Sequence, residues 1–461
     1  MQLGHLIGIA GAIGALIVVE LKSVAKVKNA RDFDKGGGKS GIWLVCGTLL
    51  GALIGGQSTI GTAQLAYVYG FSAIWFTLGA ALGCFALYIG YVIPLRKSHE
   101  TTLMEVIADQ FGRRAEYIGS ILCSTGILVS VVSNIIAAAA LMVAMTGSSM
   151  ITGCILAMVL MCLYVVFGGA IGAGMGGIVK VVLLYGMSLA SIAAAIIMAG
   201  EIGPGTALDL DIKDLFARGV GKEICNCLSL VLGVLSTQTY AQAIWSAKSY
   251  HVARKAALLS GFLCIPVGFG GVLVGLYMRT EQLASPVEAF PMFLMEHLPP
   301  LIGGLGMGAL LITVVTGGGG LILGVTTIFV RDILGRIRPE FLIGRKHIIA
   351  MRTAIVLTIL FTGMTAMIMP GAIINDLGFL SMGLRGTVIF VPLTLALFFK
   401  NHFRNEAITL SMIIGPVVLI IATALKFETE PLLAGVFASI FTCLIGYKKS
   451  EKEAKINSEK N

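Results

Sequence analysis

Apolar segments of about 20 residues recur along the whole chain, and they constrain the fold more than any other feature. Of the 461 residues, 57% are hydrophobic and 12% are charged, whereas a soluble domain has roughly twice that charged share. A helix needs ~20 mainly apolar residues to cross a bilayer. The sequence therefore predicts an all-α polytopic membrane bundle of about thirteen transmembrane helices, over residues 3–21, 41–70, 72–95, 116–146, 150–168, 175–200, 223–244, 255–278, 300–330, 349–369, 373–399, 405–424 and 430–447.

Positive charge is concentrated in alternate loops between these segments. Most of the 33 Lys and Arg residues fall at 22–40, 96–114, 245–255, 331–352, 400–404 and from 448 onward, whereas the opposite loops are rich in Asp and Glu. Because Lys and Arg accumulate in cytoplasmic loops, we expect the amino terminus outside and the carboxyl terminus in the cytoplasm. This orientation in a cell membrane accounts for the net charge of +9 without a nucleic-acid partner.

The apolar run at 41–70 is interrupted at mid-membrane depth by a cluster of glycine and polar residues, Gly55 to Thr59. Such an interruption persists inside a bilayer only where it is buried in protein or faces a watery cavity. Broken helices of this kind bind solutes and ions in transporters. The spacing of Gly51 and Gly55 also fits close helix packing, so both interpretations stay open at this point.

A second interruption, LGVLSTQTYAQAIWSAKS, lies in the seventh segment and includes Gly233 and Gln238. It comes five segments after the first, so the two broken helices should run in opposite directions. That arrangement is what an inverted five-plus-five repeat produces. Breaks at corresponding positions of two inverted halves indicate a solute site near the middle of the membrane.

The ninth segment carries Thr313 and Thr316 on one helical face, followed by four glycines. A hydroxyl and carbonyl oxygens can converge there on a small hard cation, although the glycines could instead serve helix packing alone. Asn134, in the fourth segment, fits either a hydrogen bond between helices or a ligand contact. The spacing of residues in the sequence does not decide between these alternatives.

Arg385 is predicted to lie inside the eleventh segment, where a charge costs ~2.5–3.5 kcal/mol on insertion scales. It should therefore have a partner. Asp376 is the structural candidate, and a substrate carboxylate, which a guanidinium binds bidentately, is the functional one. The predicted spans offer almost no other ionisable groups and no metal-ligand spacing of Cys or His, so neither an enzyme nor a resident cofactor is expected.

Five segments resemble the sodium:solute symporter family, in the same order and over roughly residues 20–400. They are GGQSTIGTAQLAYVYG at 55–70, TTLMEVIADQFG at 101–112, VVFGG at 165–169, QAIWSAKS at 242–249 and TTIFVRDI at 326–333. The resemblance implies a LeuT-type inverted-repeat core. We expect an extra helix and loop at 1–40, the core at 41–400 with repeats at 41–200 and 222–400, two added helices at 401–447, and a charged tail at 448–461.

The resemblance also implies two neighbouring sites. The sodium position matches Gly51, Ile54, Thr313, Thr316 and Gly317, although the family usually has a second Ser or Thr where Gly317 stands. The solute position matches Gly56, Gln57, Ser58, Thr77, Asn134, Gly233 and Gln238, with Arg385 as the candidate carboxylate anchor.

The expected function is sodium-coupled symport of a small organic solute by alternating access, in a lipid bilayer and without an obligate protein partner. Coupling to protons or uncoupled transport stays open because of Gly317. A channel is the alternative that the two discontinuous helices disfavour. The solute is expected to be a small, partly apolar metabolite, with a carboxylate as one candidate.

Overall fold

A computed structural model describes residues 2–24, 40–98, 100, 102–168, 176–202, 215–334, 338, 340, 344–369, 371–425 and 430–448. Every regular element in these ranges is helical, apart from isolated bridges that pair Ser40 with Ala247 and Phe403 with Tyr447. The all-α prediction is confirmed. The predicted loop at 22–40 and the charged tail lie almost wholly outside the described residues.

In the first half of the chain, the described residues form nine α-helices: α1 (Leu3–Val24), α2 (Ile42–Leu53), α3 (Thr62–Tyr69), α4 (Ile74–Ala86), α5 (Val92–Lys97), α6 (Leu103–Phe111), α7 (Arg113–Thr146), α8 (Met150–Gly168) and α9 (Gly176–Ile202). Short π-helical turns at Gln57–Gly61 and Leu87–Tyr91 join some of these.

A further nine lie in the part of the second half that the structure describes: α10 (Val220–Leu235), α11 (Gln238–Ser246), α12 (Tyr250–Met278), α13 (Ala289–Glu296), α14 (Pro300–Ile328), α15 (Gly344–Ile368), α16 (Ile374–Phe398), α17 (Asn405–Ala424) and α18 (Pro431–Ile445).

Eight helical stretches among the described residues are long and apolar enough to cross a membrane, or nine if the bent pair α10 and α11 is one span. Four shorter apolar helices accompany them, at Leu3–Ala15, Ile42–Leu53, Met150–Val166 and Pro431–Ile445. The multi-pass character is thus confirmed. The count of thirteen spans and the inverted repeat are not confirmed and stay predictions, as do the domain boundaries.

Both predicted interruptions are present. Helix α2 ends at Leu53, and Ile54 is extended, with φ −91° and ψ 108°. Helical structure resumes in a π turn at Gln57. The second break bends α10 and α11 by 49°, and Thr237 between them is extended. Each break exposes carbonyl groups at a helix carboxyl end, which lack intrahelical partners.

Helix α6, in the segment after the third predicted span, is amphipathic. The Thr102 hydroxyl and the Glu105 carboxylate form a reciprocal capping box at its start. The apolar stripe Leu103, Val106, Ile107 and Phe111 is buried, so the helix packs against the bundle.

Close helix contacts position the site. Helices α7 and α16 meet at Gly126, where an added Cβ would lie 3.0 Å from the Ser381 carbonyl oxygen. Helix α1 lies on α14 in the same way, since a Cβ at Gly8 would lie 2.5 Å from the Leu301 carbonyl oxygen. Small residues at such crossings let backbones approach, as is usual in membranes.

Candidate solute and ion site

A cavity of about 330 Å³ is lined by both broken helices and by four other helices. Two of its side chains are cationic, and none of the described lining residues is acidic. The lining residues are Gly47, Thr48, Gly51, Ala52, Leu53, Gly55, Gly56, Gln57, Ser130, Asn134, Lys180, Thr237, Thr239, Tyr240, Gln242, Ile312, Thr316, Gly317, Gly320, Leu321, Met382 and Arg385.

The first break leaves the Gly51 carbonyl oxygen without its helical donor. In a continuous helix that oxygen would accept from the amide of Gly55, four residues on. Here the Gly55 amide donates to the Ser58 hydroxyl at 2.9 Å, and that hydroxyl lies 3.1 Å from the Gly55 carbonyl oxygen, to which it donates. The Ser58 side chain therefore stabilises the break itself.

Lys180 supplies the donor that the Gly51 carbonyl lacks. Its Nζ donates to that oxygen at 2.8 Å, and the residue is 6% exposed. No carboxylate pairs with it among the ion pairs of the described residues. The expectation that the spans offer almost no ionisable groups besides Arg385 and Asp376 therefore overlooked Lys180. Lys180 lies only five residues after the predicted start of its span, a position typical of cationic side chains that extend to the membrane surface.

Arg385 lies at the crossing of α7 and α16 and is 2% exposed. Its Nε donates to the Ser381 carbonyl at 3.2 Å, and its Nη1 donates to the Thr237 hydroxyl at 3.1 Å. Its Nη2 donates to the hydroxyls of Ser381 at 2.9 Å and Ser130 at 3.2 Å. All of these acceptors are neutral, so the guanidinium keeps its full charge beside the cavity.

The prediction that Asp376 is the structural partner of Arg385 is wrong. Asp376 accepts instead from Arg218 Nη1 at 2.6 Å. The two residues are nine positions apart on α16, and a helix rises 1.5 Å per residue, so they are separated by about 13 Å along the axis. A direct ion pair cannot bridge that distance.

The predicted sodium ligands are only partly brought together. Gly51, Thr316 and Gly317 line the cavity, whereas Ile54 and Thr313 do not. The Thr313 hydroxyl donates within its own helix to Ala309 at 2.7 Å, and the Thr316 hydroxyl donates to the Thr313 carbonyl at 3.3 Å. Each hydroxyl thus uses its single O–H donor on the α14 backbone and keeps the lone pairs of its oxygen.

Four of the predicted solute residues line the cavity, namely Gly56, Gln57, Asn134 and Arg385. Gln57 Nε2 donates to the Ser133 hydroxyl at 2.6 Å, which fixes the amide at the break. The Asn134 amide nitrogen donates to the Ser130 carbonyl at 2.8 Å. The Asn134 side-chain oxygen lies near Gly317, since a Cβ added at Gly317 would be 4.0 Å from that oxygen.

The other four predicted solute residues serve the scaffold. Besides Ser58 at the break, Thr77 packs against Gly268 and donates to the Ile74 carbonyl. Gly233 lies against the Met382 side chain. The Gln238 side-chain oxygen accepts from the Leu103 amide at 2.8 Å and so anchors the start of α6.

Sequence reasoning missed several lining residues besides Lys180. Ser130 is one helical turn before Asn134 and shares its face, a spacing that could have identified it. Thr239 and Gln242 belong to the polar cluster of the second break, so the sequence did contain their signal. Thr48 gave no sequence signal of a lining residue. Its hydroxyl donates to the Leu44 carbonyl, as threonine hydroxyls commonly do within helices.

A second polar group, termed here the outer cluster, consists of Arg218, Glu223, Asp376, Tyr69 and Phe379. The Arg218 guanidinium donates to both carboxylates and lies 5.3 Å and 5.6 Å from the two ring centroids. Burial lowers the pKa of this guanidinium, but the hydrogen bonds and charges of the carboxylates outweigh that effect and raise it above its ordinary value. The cluster ties together the starts of α10 and α16 and the end of α3.

Comparison with known proteins gives the family. The model of the sodium:solute symporter family matches residues 33–415. High-affinity choline transporter 1 of Torpedo marmorata is 23% identical over 376 residues, covering 77% of this chain and 64% of that protein. Its Drosophila melanogaster counterpart is 23% identical over 432 residues, covering 86% and 68%. The chain thus spans about two thirds of the length of these relatives.

A solved Na+-coupled sialic acid symporter, in a substrate-bound outward-open state, shares the fold. It superposes with a TM-score of 0.72 at 16% identity, covering 97% of this chain and 100% of that one. Since the family match also extends over most of the chain, this multi-pass membrane protein belongs to the sodium:solute symporter family.

Proposed function

We propose that this chain carries a small organic anion across the membrane by alternating access, as a secondary transporter without covalent chemistry. The observation that carries the proposal is the charge of the cavity. Lys180 and Arg385 both line it, and no acidic residue does among the described lining residues. Buried charges are normally paired, so an anionic solute would supply the missing partner.

Arg385 is the proposed anchor for a carboxylate. A guanidinium has five N–H donors, and four hydrogen bonds to described residues use Nε, Nη1 and Nη2. One N–H of Nη1 is not used by these four bonds. The hydroxyl acceptors of Thr237 and Ser130 line the cavity as well, so an entering carboxylate can exchange with them. A carboxylate accepts two parallel N–H bonds from one guanidinium and carries the opposite charge, whereas the hydroxyls are neutral.

The volume of the cavity and the positive charge of its lining distinguish between the solutes of known relatives. A volume of about 330 Å³ lies at the low end for ligand sites and suits a small metabolite. Choline, named for the two relatives, is a quaternary ammonium, which proteins hold on aromatic faces. Only Tyr240 is aromatic among the described lining residues, and two cations would repel choline. Sialic acid, named for the structural relative, is a carboxylic acid and fits this charge.

The position of the cavity supports alternating access. Its lining includes α2 before the first break, α11 after the second, and residues 312–321 of α14. In the predicted orientation all of these face the cytoplasm. The outer cluster includes Asp376 at the start of α16, nine residues before Arg385, on the side that this orientation assigns to the outside. The arrangement fits an inward-open form whose outward-open counterpart requires the Arg218 contacts to separate.

The family supports sodium as the ion that accompanies the solute. Alternating access by an inverted repeat, with sodium and solute bound outside and released inside, is the corresponding mechanism. The side chains that lie at the ion position in this chain determine whether it follows that pattern.

A matched solute series tests the proposal. The purified protein in detergent is heated with monocarboxylates of two to six carbons, with the primary amide of each, and with choline, at equal ionic strength. We expect at least one carboxylate to raise the unfolding temperature while its amide and choline do not, because only the carboxylate neutralises Arg385. Counterflow of the same solute in proteoliposomes then demonstrates transport.

Variants at Arg385 provide the control. Arg385→Gln should abolish the carboxylate-induced shift, whereas Arg385→Lys, which keeps the charge but not the planar donor pair, should retain a weaker one. Stabilisation by choline, or equal stabilisation by an acid and its amide, would contradict an anionic solute.

A further inference from the structure

Lys180 holds a fixed positive charge at the position where sodium is expected. Its Nζ donates to the Gly51 carbonyl at 2.8 Å, and a Cβ added at Gly317 would lie 3.9 Å from the same Nζ. Gly51 and Gly317 both belong to the five positions matched to the sodium site. We propose that the Lys180 ammonium replaces the sodium ion in this chain, so that transport does not require sodium. The inference rests on the proposed transport function.

The first break creates a position that suits any cation. The Gly51 carbonyl lies in the last turn of α2, where the helix dipole is negative. Its normal donor, the Gly55 amide, is bound to Ser58 instead. An ammonium group with three N–H donors satisfies such an oxygen as well as a metal ion does. Because Lys180 is covalently attached to α9, it links α9 to α2 without a free ion.

Gly317 lies beside the ammonium, and a Cβ added there would be in ordinary contact with it. The resemblance implies Ser or Thr at this position, with its hydroxyl as an ion ligand. The glycine removes that oxygen, and a serine Cβ would already be in van der Waals contact with Lys180 Nζ, at 3.9 Å. The chain therefore lacks a hydroxyl ligand at Gly317 and carries the Lys180 ammonium beside the same position.

A sodium ion and the Lys180 ammonium would compete for one oxygen. Two cations bound to the same carbonyl lie within ~5 Å of each other, because each bond is 2–3 Å long. At an effective dielectric constant of ~20, their repulsion weakens sodium binding by on the order of 10²-fold. No acidic residue among the described lining residues offsets this repulsion. The described residues therefore fit an ammonium better than a sodium ion.

Thermal unfolding in sodium chloride against potassium chloride, at equal ionic strength, tests the inference without knowledge of the solute. The full-length protein is compared with Lys180→Met, Lys180→Arg and the double variant Lys180→Met with Gly317→Ser. We expect the wild type and Lys180→Arg to unfold at the same temperature in both salts. The double variant, which regains a hydroxyl and loses the fixed charge, should unfold at a higher temperature in sodium.

Each outcome decides the question. A saturable, sodium-specific rise in the wild type overturns the inference, because it shows an ion bound despite Lys180. A double variant that does not respond to sodium overturns it as well, because the position is then not a cation site. If Lys180→Met does not fold, Lys180→Gln with Gly317→Ser takes its place. Uptake of a carboxylate identified by the solute series should be equal in sodium and potassium. Failure to find any solute would affect only the transport proposal.

Discussion

Replacing Arg218 with methionine should destabilise the protein more than replacing Asp376, the exposed carboxylate of the outer cluster. The guanidinium lies 2.8 Å from the Glu223 carboxylate, and the two side chains are 3% and 0% exposed. Removing one partner of a buried ion pair leaves an uncompensated charge, at a cost of about 3–5 kcal/mol. The Asp376 side chain is 44% exposed, and an exposed pair contributes only about 0.2–1 kcal/mol.

We therefore expect Arg218→Met to lower the free energy of unfolding by about 3–5 kcal/mol, and Asp376→Asn to lower it by about 1 kcal/mol or less. The double variant Arg218→Met with Glu223→Leu removes the orphaned charge. Since apolar replacement of a buried pair is often neutral, it should recover most of the lost stability. Asp376→Asn is the matched control, because it leaves the Arg218 and Glu223 pair intact.

Reversible unfolding in mixed micelles of detergent and sodium dodecyl sulfate measures these energies, and a double-mutant cycle gives the coupling. A double variant no more stable than Arg218→Met would refute the reasoning. So would an Asp376→Asn variant that loses as much stability as Arg218→Met, because the buried pair would then not dominate the cluster.

Three further substitutions are expected to change the free energy of unfolding in the same assay. Thr102→Ala should cost about 0.5–2 kcal/mol through loss of a helix cap, without changing any solute-induced shift. Gly268→Ala should be strongly destabilising because the new Cβ would overlap the Thr77 side chain. Adding Thr77→Ala should restore stability. A solute-binding role for Thr77 would not predict this rescue. Gln238→Ala should cost about 1–3 kcal/mol by leaving the Leu103 amide without its acceptor, and no loss would contradict its anchoring role.

The sequence determined the class of protein and the position of both breaks. Composition excluded a soluble fold, since 57% of the residues are hydrophobic. The clusters at Gly55 to Thr59 and around Thr237 were recognisable because polar residues at bilayer depth need a reason. The five matched segments predicted the family that the comparisons confirm. These conclusions depend on local composition and order along the chain, which a sequence contains in full.

The tertiary structure decided what the side chains at the breaks do. Ser58, Thr77 and Gln238 have the residue types of a solute site, yet each bonds to the scaffold. Their partners are neighbours in space, and no pattern along the chain names them. The same is true of Arg385, whose acceptors come from α7, from the second break and from its own helix.

Lys180 shows the difference most clearly. In the sequence it is a lysine near the end of an apolar segment, a position where long cationic side chains usually extend to the interface. In the structure it is buried and bonded to Gly51, 129 residues earlier in the chain. The sequence fixes neither the direction of that side chain nor the helix it contacts. Only the packing of α9 against α2 decides whether its charge meets water or an ion site.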